Sequence, residues 1–459
     1  MNASARRMSE PGLGSIGRSV CREITMSASL APGVTHREIW AWAMFDFANS
    51  GYTTVVITAV FNAYFVAVVA KGEAWGTLAW TSATALSYVL IILTAPLIGA
   101  YADAFACKKR LLLFSTVGCV VFTSGLALAG PGELGVAILF IVLSNFCFGS
   151  GENLIAAFLP QLARAEALGK VSGWGWGFGY IGGLVSLGTC LAFVSWAQAQ
   201  GQTAAQFVPV CMLITAALFA IASVPTFLFL RERSQPQPRR ADTPIAQAAL
   251  ARFAQTLREA DRYRDLLRFL ACTVCYQAGI SAVIALAAIY ANQVMGFSTQ
   301  DTLLMIFVVN ITASIGAVLF GWLQDRLGHR TTLALTLLGW LGMVGLAWVA
   351  SGPGLFWLAA NLAGLCMGAS QSAGRAIVGL LTPPTRLAEF FGLWGLAVKL
   401  SAILGPMTYG LTSWLSDGDH RLAMLITGSY FVVGLLILAS VDLQRGRQAA
   451  VSGSESLGK

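Results

Sequence analysis

Twelve apolar runs, each long enough to cross a bilayer as a helix, follow one another at roughly 39–69, 78–102, 111–130, 134–163, 171–197, 206–230, 266–293, 300–324, 331–351, 354–382, 388–414 and 421–442. A spanning helix needs about 20 mostly apolar residues. Inside hydrocarbon each backbone N–H and C=O must be satisfied by the chain itself, so only helices and closed barrels cross a membrane. These runs are continuous and do not alternate, which excludes a barrel. The expected fold is all-α, a polytopic membrane protein with twelve transmembrane helices.

Composition agrees. The 459 residues are 56% hydrophobic and only 11% charged, against about 25% charged in ordinary soluble domains. A body so short of charge cannot cover a water-facing surface, so a soluble enzyme and a disordered chain are both excluded. The net charge of +8 does not point to nucleic acid, because the charges sit in short gaps between apolar runs. Nine cysteines are scattered, and Cys272 and Cys275 lie inside an apolar run, where cysteine acts as a small hydrophobe. With only His36, His329 and His420 as histidines, neither a metal nor a cofactor is expected. No nucleophile, base and orienting group come together in the sequence, so no enzyme activity is expected.

Short loops give the orientation. Lys108, Lys109 and Arg110 follow the second run, Arg164 and Lys170 the fourth, Arg326 and Arg330 the eighth, and Arg386 the tenth, while the gaps at 198–205, 294–299 and 352–353 carry no Lys or Arg. The positive-inside rule then puts both termini in the cytoplasm, and a bacterial inner membrane is the expected site. The expected organisation is a disordered segment 1–37, a six-helix bundle 38–230, a linker 231–265, a second bundle 266–443 and a disordered tail 444–459. The first 25 residues precede an alternative start at Met26. Within the linker, Leu250, Phe253 and Leu257 share one side of a helical pattern from about 245, as in an amphipathic helix lying on a membrane surface.

The two bundles share local signatures. Gly99 and Asp103, followed by Lys108, Lys109 and Arg110, correspond to Gly321, Asp325, Arg326, Gly328 and Arg330, with the aspartates 222 residues apart. Gly149 and Glu152 in the fourth run correspond to Gly368 and Gln371 in the tenth at an offset of 219. A parallel repeat of this kind is a transporter architecture, with the pathway between its halves. Asp325 can cap a helix end and pair with Arg330, so these charged loops are expected to latch a gate and not to hold cargo. The first copy has Ala104 and Ala106 where the second has Arg326 and Gly328, which weakens the case for a symmetric latch.

The pattern over 321–330 resembles the loop signature of the major facilitator superfamily. A narrower resemblance is carried by Phe45, Asp46, Phe47, Ala48, Asn49, Ser50, Gly51 and Tyr52, by Asn153 through Pro160, by Ser172 through Gly183, and by Glu389 through Pro406. These stretches are similar to the autophagy-related vacuolar effluxer-like family, which opens on a Tyr-Asp-Trp-Ala-Asn-Ser motif. Phe45 and Phe47 replace its tyrosine and tryptophan, removing a hydroxyl and an indole donor. The resemblance implies a major facilitator fold of two pseudo-symmetric six-helix bundles, and amino acids as the cargo.

Polar groups inside the runs are the candidate site, since charge in hydrocarbon faces a cavity or a partner. Asp46, Asn49 and Thr53 fall on one helical stripe, either lining the pathway or, for Asp46, latching it. Glu152, beside Asn153, is too short to reach water from mid-span, which suits a proton-coupling or amine-binding carboxyl; a buried ion pair is the alternative. Arg375, one turn beyond Gln371, and Lys399 can receive a substrate carboxylate or neutralise Asp46 or Glu152. Glu389 is expected to partner Arg375 or Arg386. Gln277 aligns with Asn49 at an offset of 228 and is expected opposite it across the pathway. The glycines among Trp174, Trp176 and Tyr180 read as close helix packing, with the aromatics as membrane-interface anchors.

The expected function is secondary active transport of a small polar solute, amino acids by resemblance, by alternating access with proton coupling. The expected partners are lipid, solute and protons, with no nucleic acid, and the chain is expected to act as a monomer. Drug-like, peptide or sugar cargo, or a non-transporting membrane sensor, are the alternatives.

Overall fold

In the computed structural model, residues 29–73, 75–235 and 261–455 are described. Residues 1–28, with Met26, and 236–260, with most of the expected linker helix, lie outside the described residues. Twelve described helices are long and apolar enough to cross a membrane. They are α1 (His36–Val69), α2 (Gly76–Ala104), α3 (Lys108–Leu128), α4 (Leu134–Leu162), α5 (Leu168–Ala199), α6 (Ala204–Phe229), α7 (Arg264–Gln293), α8 (Thr299–Leu327), α9 (His329–Val349), α10 (Pro353–Leu381), α11 (Leu387–Leu415) and α12 (His420–Ala439). Leu78, Leu93, Phe114, Leu128 and Leu436 are exposed on them, as lipid-facing side chains must be.

Local chemistry sets where helices begin and turn. Thr35 Oγ1 accepts from Glu38 N at 3.4 Å while Glu38 Oε2 accepts from Thr35 N at 3.1 Å, a capping box that satisfies two orphan donors. Arg233 Nη2 donates to the same Glu38 oxygen at 2.8 Å, tying the start of α1 to the chain leaving α6. Between α8 and α9 the whole turn is Gly328, with φ at +88°, a conformation that favours glycine. The far part of α1 departs from α-helical winding: Thr53–Ala59 and Phe65–Val69 are π-wound, a form that often accompanies functional sites.

Helices α1–α6 pack among themselves, as do α7–α12, and the two sets meet where α5 lies along α8 and α2 along α11. Glycine makes both meetings possible. A Cβ on Gly173 of α5 would overlap the Ala317 carbonyl of α8, and one on Gly321 of α8 the Gly169 carbonyl of α5. On the other side, Gly99 of α2 sits on the Ala388 carbonyl and Gly392 of α11 on the Ala95 carbonyl. Small residues let helix backbones approach this closely in membranes. The two interfaces repeat the offsets seen in the sequence, 222 from Gly99 to Gly321 and 219 from Gly173 to Gly392.

Two terminal expectations need correction. The tail expected to be disordered forms a helix, α13 (Leu443–Glu455), because Arg445 Nε and Nη2 grip the buried Asp265 carboxylate at 2.6 and 2.7 Å. Of the N-terminal segment, Ala31 N donates to Leu162 O at 3.0 Å and Arg164 N to Ser29 O at 3.1 Å, so residues 29–31 are pinned to the end of α4. The described ends of the chain, at 29 and 455, and the linker ends at 235 and 261 therefore gather on one side of the molecule, the termini face.

Candidate functional site

Two ion pairs cross from one six-helix set to the other within the membrane-spanning helices. In the first, Arg375 Nη1 of α10 donates to Asp46 Oδ2 of α1 at 2.7 Å. The guanidinium is also held by α5: its Nε donates to Ser172 Oγ at 3.1 Å and its Nη2 to Ser172 O at 2.9 Å. It lies over the rings of Trp42 at 4.6 Å and Trp176 at 5.3 Å, each such contact worth about 0.5–2 kcal/mol. Gly175 makes room, since a Cβ there would strike Asp46, Arg375 and Trp42 together.

The second pair is looser. Lys399 Nζ of α11 donates to Glu152 Oε2 of α4 at 3.0 Å, and the ammonium lies over Phe148 and Tyr88 at 5.5 and 5.7 Å. The Glu152 side chain is 24% exposed, against 11% for Asp46 and 3% for Arg375. Beside it, Asn153 is buried against Gly395 of α11 with neither amide atom hydrogen-bonded. An unsatisfied buried amide costs about 1–3 kcal/mol, so Asn153 is poised for a partner. Both carboxylates belong to the first set of helices and both cations to the second.

The neutral groups sort differently from expectation. Gln277 does not face Asn49: its Nε2 donates to Gln371 Oε1 at 2.7 Å, within the second set, and Gln371 returns a bond of 3.4 Å. Asn49 is buried with its side-chain oxygen unpartnered, and exposed Thr53 donates to Asn49 O at 3.3 Å. Trp176 and Tyr180 are not membrane-interface anchors, since they stack toward each other at 6.0 Å in the seam with Met367.

At the termini face two aspartates latch helices of opposite sets. Asp325 of α8 accepts from Gly169 N and Lys170 N in the first turn of α5, each at 3.0 Å. Asp103 of α2 accepts from Glu389 N in the first turn of α11 at 2.9 Å. A carboxylate at a helix N-terminus satisfies orphan N–H groups and meets the positive end of the dipole. An aspartate thus meets the facing helix start on both sides despite Ala104 and Ala106, because the contact needs the aspartate and the glycine-permitted approach and not the missing arginine. Arg330 does not pair with Asp325; its Nη2 donates to Ala439 O at 2.7 Å. Arg326 stacks on Trp322 at 3.7 Å and Arg110 on Phe114 at 5.9 Å. Lys108 lies 3.9 Å from Asp103, and Lys109 Nζ donates to Leu230 O at 2.6 Å. Of the two partners considered for Glu389, the structure selects Arg386, at 2.9 and 3.1 Å.

Sequence reasoning missed Ser172, Trp42 and Gly175. Ser172 and Gly175 sit in the glycine-rich run read only as packing, and nothing local marks them as the seat of a cation 200 residues away.

Among solved structures, the human organic anion transporter MFSD10 superposes with a TM-score of 0.69 at 15% identity, over 88% of this chain and 99% of its own. The Escherichia coli fucose:proton symporter does so with a TM-score of 0.67 at 14% identity, over 88% and 98%. Its apolar spans and its superposition on these structures give the chain the major facilitator fold of an integral membrane protein, and the effluxer family it matches makes it a secondary transporter that moves a small solute by alternating access. The family profile described as vacuole effluxer Atg22 like matches residues 78–451, and the chain belongs to that family. An uncharacterized MFS-type transporter of Bacillus subtilis, YxiO, is 27% identical over 87% of this chain and 94% of its own length. Autophagy-related protein 22-1 of Aspergillus niger is 24% identical over 76% and 70%.

Proposed function

We propose that the chain carries amino acids, zwitterions in water, across a bacterial cytoplasmic membrane with both termini inside, and that a proton on Glu152 is coupled to their movement. The observation behind this reading is the segregation of charge: Asp46 and Glu152 on one set of helices, Arg375 and Lys399 on the other, paired across the seam. A zwitterion entering between Glu152 and Lys399 offers an ammonium to one set and a carboxylate to the other, replacing one ion pair by two. Asn153, buried and unpartnered beside them, supplies a donor and an acceptor for the same head group. Protonating Glu152 releases Lys399 without cargo, which is how a proton gradient would bias the cycle.

Proteoliposomes test this with a labelled amino-acid mixture, with and without a pH gradient, comparing the unaltered chain with Glu152→Gln. Gradient-driven uptake that Glu152→Gln abolishes, with gradient-free exchange kept, is the expected result. Uptake indifferent to both removes the proton from the reading. Folded, inserted protein that carries no amino acid removes the cargo.

A further inference from the structure

The α5–α8 seam carries, at its end on the termini face, two cations that the proposed transport cycle does not use. Lys170 of α5 lies over the ring of Trp174 at 5.2 Å, and Arg326 of α8 over Trp322 at 3.7 Å. Each cation is four residues from its ring, one helical turn nearer the termini face, because α5 starts there and α8 ends there. Arg326 is exposed, and half-buried Lys170 donates to Ser29 Oγ at 3.4 Å. Asp325 beside them spends its oxygens on Gly169 N and Lys170 N. Among the described residues neither cation is in an ion pair.

Both rings lie on the same, lipid-facing side of the seam. The backbones of α5 and α8 touch at Gly173 and Gly321, and each tryptophan follows its glycine by one residue. In an antiparallel pair a local two-fold through the contact carries one helix onto the other, so positions equally far past the contact share a side. That side is apolar and exposed further along: Ile181 lies seven residues beyond Trp174, and Ile315 seven before Trp322, two turns along the same helix faces. The α2–α11 seam lacks the arrangement. At the offsets of 219 and 222 it has Glu389 and Leu393 for Lys170 and Trp174, and Ala104 and Ala100 for Arg326 and Trp322. Glycines and a latching aspartate close both seams alike, so the two cation–ring pairs of α5 and α8 are not needed for closure itself.

We propose that this end of the seam binds the phosphate of an anionic phospholipid in the leaflet at the termini face, with Lys170 and Arg326 reaching it from opposite sets of helices. Tryptophan favours the headgroup level of a bilayer, so each ring holds its cation at the depth of the phosphates. Basic sites between spanning helices take anionic headgroups, each Lys or Arg near the surface adding about fivefold in affinity. Ile181 and Ile315 continue the site into hydrocarbon, where acyl chains lie, which favours a lipid over a free anion. One headgroup touches both cations only while α5 and α8 are closed at this end. The bound lipid therefore favours the closed termini face, whatever solute the pathway carries.

Native mass spectrometry of the full-length chain in detergent, titrated with phosphatidylglycerol or phosphatidylcholine, reads the binding. Phosphatidylglycerol is expected to bind in preference, about fivefold more weakly to Lys170→Gln or Arg326→Gln and about twenty-five-fold more weakly to the double variant. Lys170→Arg with Arg326→Lys keeps both charges and is expected to keep the preference. Arg110→Gln removes a cation stacked on exposed Phe114 of α3 and is expected to bind as the unaltered chain does. In nanodiscs of phosphatidylcholine, added phosphatidylglycerol is expected to raise the closed fraction reported by probes at 166 and 447, a response the double variant loses. Equal binding of the two lipids, a double variant that binds normally, or an equal loss in Arg110→Gln overturns the site. Inorganic phosphate that displaces the lipid at equal concentration makes it a free-anion site and overturns the lipid assignment. Binding with no change in the closed fraction overturns the bridge between the sets.

Discussion

Arg375 and Asp46, 329 residues apart in sequence, meet at 2.7 Å across the two sets of helices, and Ser172 of a third helix holds the guanidinium by two more bonds. Glu152 and Lys399 share a single bond. The first pair is built as a fastening and the second as an exchangeable contact.

The fastening has a measurable signature. Breaking a buried pair from one side strands the other charge and costs about 3–5 kcal/mol, whereas removing both charges is far milder. Arg375→Gln is therefore expected to lower the unfolding midpoint in detergent sharply, and Asp46→Asn added to it to recover much of the loss. Additive losses in the double variant would show that the two residues act separately.

The glycine contacts set how closely the sets approach. Gly173→Val and Gly392→Val each place side-chain carbons where a facing backbone carbonyl stands. Both are expected to hold the termini face open and to stop turnover while leaving the helices inserted. Probes at 166 and 447, which join the turn before α5 to α13 through the Arg447–Glu166 contact of 3.3 Å, should report longer distances. Unchanged distances with normal transport would contradict the close-approach account.

The aspartate latches are individually weak. A carboxylate at a helix N-terminus is worth about 0.3–2 kcal/mol, so Asp103→Asn or Asp325→Asn alone is expected to shift the balance toward an open termini face by no more than about thirtyfold. The two together should shift it by the product. The same pair of probes measures it, and a double variant no more open than either single one would mean that the latches are not independent.

The tail helix depends on Arg445. Its guanidinium meets Asp265 by two bonds, and Arg445→Ala leaves that carboxylate to Arg268 at 4.0 Å and Asp442 N at 3.0 Å. Trypsin is expected to cut after Arg447 several-fold faster in this variant. Cleavage at the original rate would show that packing of Leu443 and Ala450 suffices to hold the helix.

Most of the architecture was legible because membrane spans are written in runs of residue type, and the repeat is written in offsets that survive as Gly99, Asp103, Gly321 and Asp325. The charges Asp46, Glu152, Arg375 and Lys399 could be picked out one by one, since each is anomalous in hydrocarbon. Their pairing could not, because it depends on rotation of α10 and α11 against α1 and α4, to which local patterning is blind. The same blindness misassigned Gln277 to Asn49 and left Ser172 in a glycine-rich run. The helix of the tail was not legible either, because it depends on a distant buried carboxylate, Asp265, that anchors Arg445.

The separation of charge by sign has a consequence for how the chain is made. At about 5–20 residues per second, the 329 residues between Asp46 and Arg375 take roughly 16–66 seconds to synthesise. In the later part of that interval, once α6 is complete at Phe229, the first six helices sit in the membrane with both carboxylates and neither cation partner. The newborn half holds two carboxylates in its spans that cannot be matched until their basic partners are threaded in beside them. A ribosome stalled between the halves would leave behind a recognisably incomplete protein.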